Sequence, residues 1–164
     1  MAASSLQAMT TLTSDAPLRE LEQRIGFIPN LAAAIADSPV AIASFVAQQG
    51  ALRHTNLTPL EREAVAITVS AENDCEYSLA AHSAFARKAG GSNELVAALR
   101  ARRPAGDERL RSIQDLTLAL LRERGHVPPH GDALEVITQI AYTTVANYVA
   151  NVKRPPIDAA FAPV

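Results

Sequence analysis

Along the 164-residue chain, apolar positions recur with a helical period, not an alternating one. Asp15 and Pro17 can open a helix that LRELEQRI carries to a stop at Gly26. Phe27 to Asn30 reads as a turn, with Asn30 as the expected cap of a short alanine-rich helix. Ser38 followed by Pro39 is an N-cap and first-turn proline for a helix reaching towards Arg53. Thr58-Pro59-Leu60-Glu61 is a capping box and starts another. The run beyond it holds β-branched Val65, Ile67, Thr68 and Val69, which propensity alone would give to a strand. The capping box and the absence of a partner strand favour a helix, with Leu60, Ala64, Ile67 and Ala71 as its apolar stripe.

Asn73 and Asp74 offer caps for the next helix and would place Cys75 in its first turn, before Gly90-Gly91 ends it. Ser92 caps a helix closed by Arg102-Arg103-Pro104. Asp107 to Arg124 forms a longer one, with Leu110, Ile113, Leu116, Leu120 and Leu121 inward and Gly125 as the stop. HVPPHG is a loop. Asp132 is the expected cap of the last helix, whose predicted buried stripe is Leu134, Ile137, Ile140, Ala141, Val145 and Tyr148, ended before Pro155-Pro156. Tyr142, Asn147 and Tyr148 are assigned to an interface or pocket wall. The pattern predicts an all-α fold of about seven helices in a single domain over residues 15–164, after a loose leader at residues 1–14.

Composition narrows the classes. Alanine is abundant and aromatics make up only 4%, which suits closely packed helices. A net charge of −2 gives no electrostatic argument for nucleic acid or an anionic membrane. Arginines 100, 102, 103, 109 and 111 are expected to be a solvated face. The N-terminus lacks the basic and apolar regions of a secretory signal, and no run suits a membrane span. The single cysteine excludes an internal disulfide and fits a reducing compartment, so a cytoplasmic protein is expected.

Candidate chemistry centres on the stretch from Glu63 to His82. Cys75, Ser78 and His82 are spaced i, i+3, i+7 and share one helical face, with Leu79, Phe85, Ala86 and Ala89 on or beside it. Glu63 lies at the edge of the preceding apolar stripe, so two packed helices would bring a carboxylate towards thiol and imidazole. Each has an ordinary alternative: a buried cysteine as a small hydrophobe, a satisfied core histidine, a first-turn glutamate favoured by the helix dipole. His126 and His130 are i, i+4, but the intervening prolines break any helix that would align them, and no zinc set is expected.

Glu63-x11-Cys75-x2-Ser78-x3-His82 resembles the E-x11-C-x2-C-x3-H core of the alkyl hydroperoxidase D-like proteins, within the wider carboxymuconolactone decarboxylase family. GFIPNLAAAIADSPV, KAGGS and NYVANVKRPPIDAAF extend the resemblance over most of residues 25–161. Ser78 stands where dithiol members carry their second cysteine. The resemblance implies a helical domain and a thiol-dependent, peroxidase-like oxidoreductase. Cys75 would attack a peroxide O–O bond, Glu63 and His82 would relay protons, and Tyr77 and Ser78 would support the thiol. A sulfenate at Cys75 would then need an external thiol reductant. One alternative is a decarboxylase-type lyase acting on a small carboxylic-acid lactone, which needs cations such as Arg53 or the Arg100–Arg103 cluster nearby. Another is a non-catalytic helical assembly module. No cofactor or metal is implied; a homo-oligomer (dimer, trimer or hexamer) is.

Overall fold

The computed structural model describes residues 12–162 and contains eight α-helices among them. They are α1 (Asp15–Ile25), α2 (Asn30–Ile35), α3 (Pro39–Ala51), α4 (Pro59–Glu72), α5 (Glu76–Lys88), α6 (Asn93–Arg100), α7 (Glu108–Arg122) and α8 (Ala133–Lys153). Single 3₁₀ turns follow α3 at Leu52–His54 and close the described chain at Ala159–Phe161. The all-α expectation holds, with one helix more than the seven anticipated. The leader expected over residues 1–14 lies, up to residue 11, outside the described residues.

α4 is the axis of the fold and packs against α5, α6, α7 and α8. Its start is the predicted capping box: Thr58 Oγ1 accepts from Glu61 N at 3.2 Å, and Glu61 accepts from Thr58 N at 2.6 Å. Every residue from Ala64 to Ala71 is buried. Ala64, Ile67 and Ala71 join Val96, Leu99 and Leu110 in one cluster. Val65 and Val69 point elsewhere, into a second cluster with Ile113, Leu120 and Val136. The β-branched run is thus the second apolar face of a helix that neighbours enclose on several sides. The ambiguity in its propensity arose because it has no solvent face to make an amphipathic pattern.

α4 and α5 are joined by a tight reversal. Asp74 takes a left-handed conformation, φ 48°. Its N–H donates to Ala71 O at 3.2 Å, and Cys75 N–H donates to Ser70 O at 2.9 Å. Together these bonds form a Schellman stop. Cys75 is therefore the N-cap of α5, one position before the first turn in which it was expected, and its side chain caps nothing. At the far end of α5, a Cβ on Gly91 would come within 2.9 Å of both Ala86 O and the Leu60 side chain, so glycine permits the close approach of α5 to α4.

α8 corrects the sequence reading. Leu134, Ile137, Val145 and Tyr148 face outward, with Tyr148 59% exposed. The inward positions are Val136, Gln139, Thr143, Ala146, Asn147 and Ala150. The apolar pattern marked the wrong face because the buried one carries polar groups that bond internally. Asn147 is wholly buried: its amide nitrogen donates to Ser70 Oγ and its oxygen accepts from Asn73 Nδ2, both at 3.0 Å. Two helix starts also differ from expectation. α2 begins at Asn30 itself, and the distant Asp158 carboxylate accepts from Asn30 N at 3.2 Å. Asp132 makes no capping bond; its carboxylate accepts from Arg109 Nη1 at 2.7 Å.

Arg109 is not merely solvated, since its Nε donates to the buried Glu61 carboxylate at 2.6 Å. Burial alone would raise the Glu61 pKa; the bonds from Thr58 and Arg109 outweigh it and hold the carboxyl below its ordinary value near 4.5. A depressed carboxylate pKa stabilises the fold above the unfolded value, and that contribution is lost as pH falls through the folded one. Glu61→Gln should therefore flatten the acid limb of stability below about pH 4.5, as measured by urea unfolding at stepped pH. Asn147→Ala should lower stability by about 1–3 kcal/mol by stranding Ser70 and Asn73, seen as a lower urea midpoint at unchanged m-value.

Candidate active site

The reversal at Asn73–Cys75 folds α5 back along α4, bringing Glu63 on one helix opposite His82 on the other. With Glu63 ionised, His82 Nδ1–H donates to Glu63 Oε2 at 2.7 Å. Both side chains are largely shielded from water. The bond fixes the ring's orientation and leaves Nε2 as the nitrogen available for a substrate proton. A charged ring formed during reaction would stay paired with the same carboxylate.

Two cavities meet at this dyad. The inner one, about 50 Å³, is apolar and bounded by Leu21, Leu31, Phe45, Tyr77, Phe85 and Phe161, with Ser78 and His82 also on its wall. Phe161 comes from the last 3₁₀ turn and packs edge-on to Phe85 with centroids 5.4 Å apart. The outer cleft is larger, about 490 Å³, and open to solvent; its wall includes Arg24, Arg53, Arg62, Glu63, His82 and Lys88. His82, Phe85, Tyr142 and Ile25 border both. Tyr142 stacks on Phe45 at 4.6 Å. Burial, and then the Glu63 charge, push its phenol above the ordinary tyrosine value, against the opposing effect of Arg24, so it remains an O–H donor at neutral pH.

The predicted site residues divide. Glu63 and His82 are bonded to each other. Ser78 shares the inner cavity with His82, and its hydroxyl is buried with no hydrogen-bond partner. Cys75 is wholly buried in an apolar cluster with Leu21, Ile42 and Ala146, off the cavity wall. No hydrogen bond among the described residues joins its sulfur to Ser78 or His82. Tyr77 turns its hydroxyl the other way: it donates to Asp158 Oδ2 at 2.5 Å and accepts from Leu31 N at 3.2 Å. Burial first, then Asp158, raises its pKa, so the phenol stays protonated. Tyr77 thus anchors the C-terminal segment that carries Phe161 and lends the pocket only its ring. Arg53 reaches the cleft; the Arg100–Arg103 cluster does not. Among the described residues, no group of three His, Cys, Asp or Glu side chains could hold a metal ion, and no helix is long and apolar enough to cross a membrane.

Residues 39–113, which hold Glu63, Cys75, Ser78 and His82, match the model of the carboxymuconolactone decarboxylase family. Over that stretch the chain is similar to this family. Solved structures agree in fold. A peroxidase-related protein from Ralstonia eutropha JMP134, described as an alkylhydroperoxidase AhpD core, is 24% identical with a TM-score of 0.79, over 90% of this chain and 86% of that one. A peroxidase-related protein from Silicibacter sp. TM1040 is 22% identical with a TM-score of 0.74, over 98% and 97%. A variant of the debrominase Bmp8, bound to 2,3,4-tribromopyrrole, is 18% identical with a TM-score of 0.73, over 94% and 95%. No curated protein matches the sequence significantly. The chain thus shares the all-helical fold of these alkyl hydroperoxidase D-like proteins.

Sequence spacing found the dyad and placed Phe85 beside it, but not the cavity residues Phe45 and Phe161 or the cationic cleft wall, which converge from distant segments. Sealed burial of the thiol has a measurable consequence. Alkylation of Cys75 by iodoacetamide in the native protein should be at least a hundredfold slower than in urea-unfolded protein, and should accelerate only as unfolding sets in.

Proposed function

We propose that this protein is an acid–base enzyme whose reacting group is His82, oriented by Glu63, acting on a small organic molecule in the manner of a decarboxylase-type lyase. The observation that carries this reading is the 2.7 Å His82–Glu63 bond at a wall common to both cavities. Nε2 takes up a proton from solvent and delivers it to a substrate carbon, while Glu63 balances the imidazolium between the two steps. In a carboxylated lactone, breaking the C–COO⁻ bond releases CO₂ and leaves its electron pair conjugated with the lactone carbonyl; a proton from the imidazolium then completes the product. Ser78, a buried hydroxyl at the inner cavity with no partner among the described residues, supplies a hydrogen bond to a substrate oxygen.

The second reading is thiol-dependent peroxidase chemistry at Cys75, with an external thiol resolving the sulfenate. The motif and the peroxidase-related neighbours support it. The thiol's burial and the serine on the cavity wall weigh against it. A homo-oligomer belongs to either reading as a proposal.

A panel of carboxylated γ-lactones, assayed for CO₂ release, tests the first reading. His82→Gln and Glu63→Gln should each lower kcat by about 10²–10⁴, and Cys75→Ala should change it less than about fivefold. Peroxide consumption with dithiothreitol that vanishes in Cys75→Ala, with no lactone turnover, would reverse the order of the two readings.

A further inference from the structure

The two cavities that meet at His82 differ in kind. The inner one is a small apolar chamber. The outer wall carries Arg53, Arg62 and Lys88, and none of the three is ion-paired with a carboxylate among the described residues. The remaining cation of that wall, Arg24, is matched by Glu20. The wall's single carboxylate, Glu63, is engaged by His82.

Arg62 is the most telling of these groups. Its Nη1 donates to Leu52 O at 2.8 Å, but its Nε is buried with no acceptor. An arginine N–H withdrawn from water with no acceptor is unfavourable until one arrives, and an anion at the half-buried guanidinium supplies acceptor and countercharge together. Arginine's forked donors suit a carboxylate in particular.

We propose that the outer cleft binds the carboxylate of a small amphiphilic substrate through Arg53, Arg62 and Lys88, with the apolar end of that molecule entering the inner chamber past His82. This inference rests on the reading of His82 as the reacting base, because it sets the reacting bond between a charged head and an apolar tail. The volumes set the proportions. About 490 Å³ outside tolerates a polar head of varied size, while about 50 Å³ inside admits only a few carbons.

The experiment compares n-butyrate with n-butyramide, titrated into the full-length protein at low ionic strength and followed through the His82 and Tyr142 ring resonances. Butyrate should bind at least tenfold more tightly, the factor expected for charge-assisted over neutral hydrogen bonds. Arg53 and Lys88 are exposed, so the double variant R53Q/K88Q should keep its melting temperature while that preference falls to about threefold or less. Equal affinity for acid and amide, absent binding of butyrate, or an unchanged preference in R53Q/K88Q would each overturn the proposal. H82Q separates the two claims. It should retain the preference for butyrate, so a failure of the acid–base reading shows in lactone turnover and leaves this binding result standing.

Discussion

A helix that loses contact with water around most of its circumference must find every compensating interaction in its neighbours. α4 is in that position, and much of the architecture follows from it. Its two apolar faces demand two separate clusters, which α6 supplies on one side and α7 with α8 on the other. Its buried hydroxyls turn inward, Thr68 to Ala64 O and Ser70 to Asn147. Its first turn is closed by Thr58 and Glu61, its last by the left-handed Asp74. A rod held at both ends and along its length is a rigid mount. Glu63 stands on that mount where the enclosing helices part, and the histidine it holds inherits the same rigidity.

This mounting explains why the dyad and the thiol have different fates although they share a motif. The cysteine sits at the joint between α4 and α5, where the main chain does the work: its N–H closes one helix and its C=O begins the next. Its side chain points into packing among aliphatic neighbours. One turn further along α5, Ser78 reaches the chamber, and one turn beyond that His82 reaches both chamber and cleft. The site therefore grades from sealed and apolar, through a single unmatched hydroxyl, to open and cationic. A reaction placed at the middle of that gradient would have water on one side only.

Local signals were legible where a few adjacent residues decide the outcome. Ser38-Pro39, the Thr58–Glu61 box, Ser92, Asp107 and Gly90 all act within four residues of themselves, and each does what its chemistry suggests. The dyad was legible for a related reason, since helical spacing on two consecutive segments nearly fixes which side chains meet. α8 was misread because Gln139, Thr143 and Asn147 look like surface residues until their partners on α4 and within α8 are known. Arg109 was misread likewise, since Glu61 lies 48 positions away. The cleft was illegible in principle: Arg24, Arg53, Arg62 and Lys88 come from four separate segments, and only packing makes them neighbours.

The inner chamber is roofed by a segment outside the helical bundle. Phe161 reaches it from the stretch after α8, held by Asp158 on Tyr77 and Asn30 and by Asn30 Nδ2 on Pro156 O at 3.0 Å. Phe161 itself is buried and packs its ring against Phe27, Tyr77 and Phe85. Opening the roof breaks these contacts but no hydrogen bond within a helix, so the chamber can exchange its contents while the bundle keeps its helices. A fusion, a cleavage or a neighbouring surface acting on this short segment would alter what enters the chamber while leaving helix content unchanged.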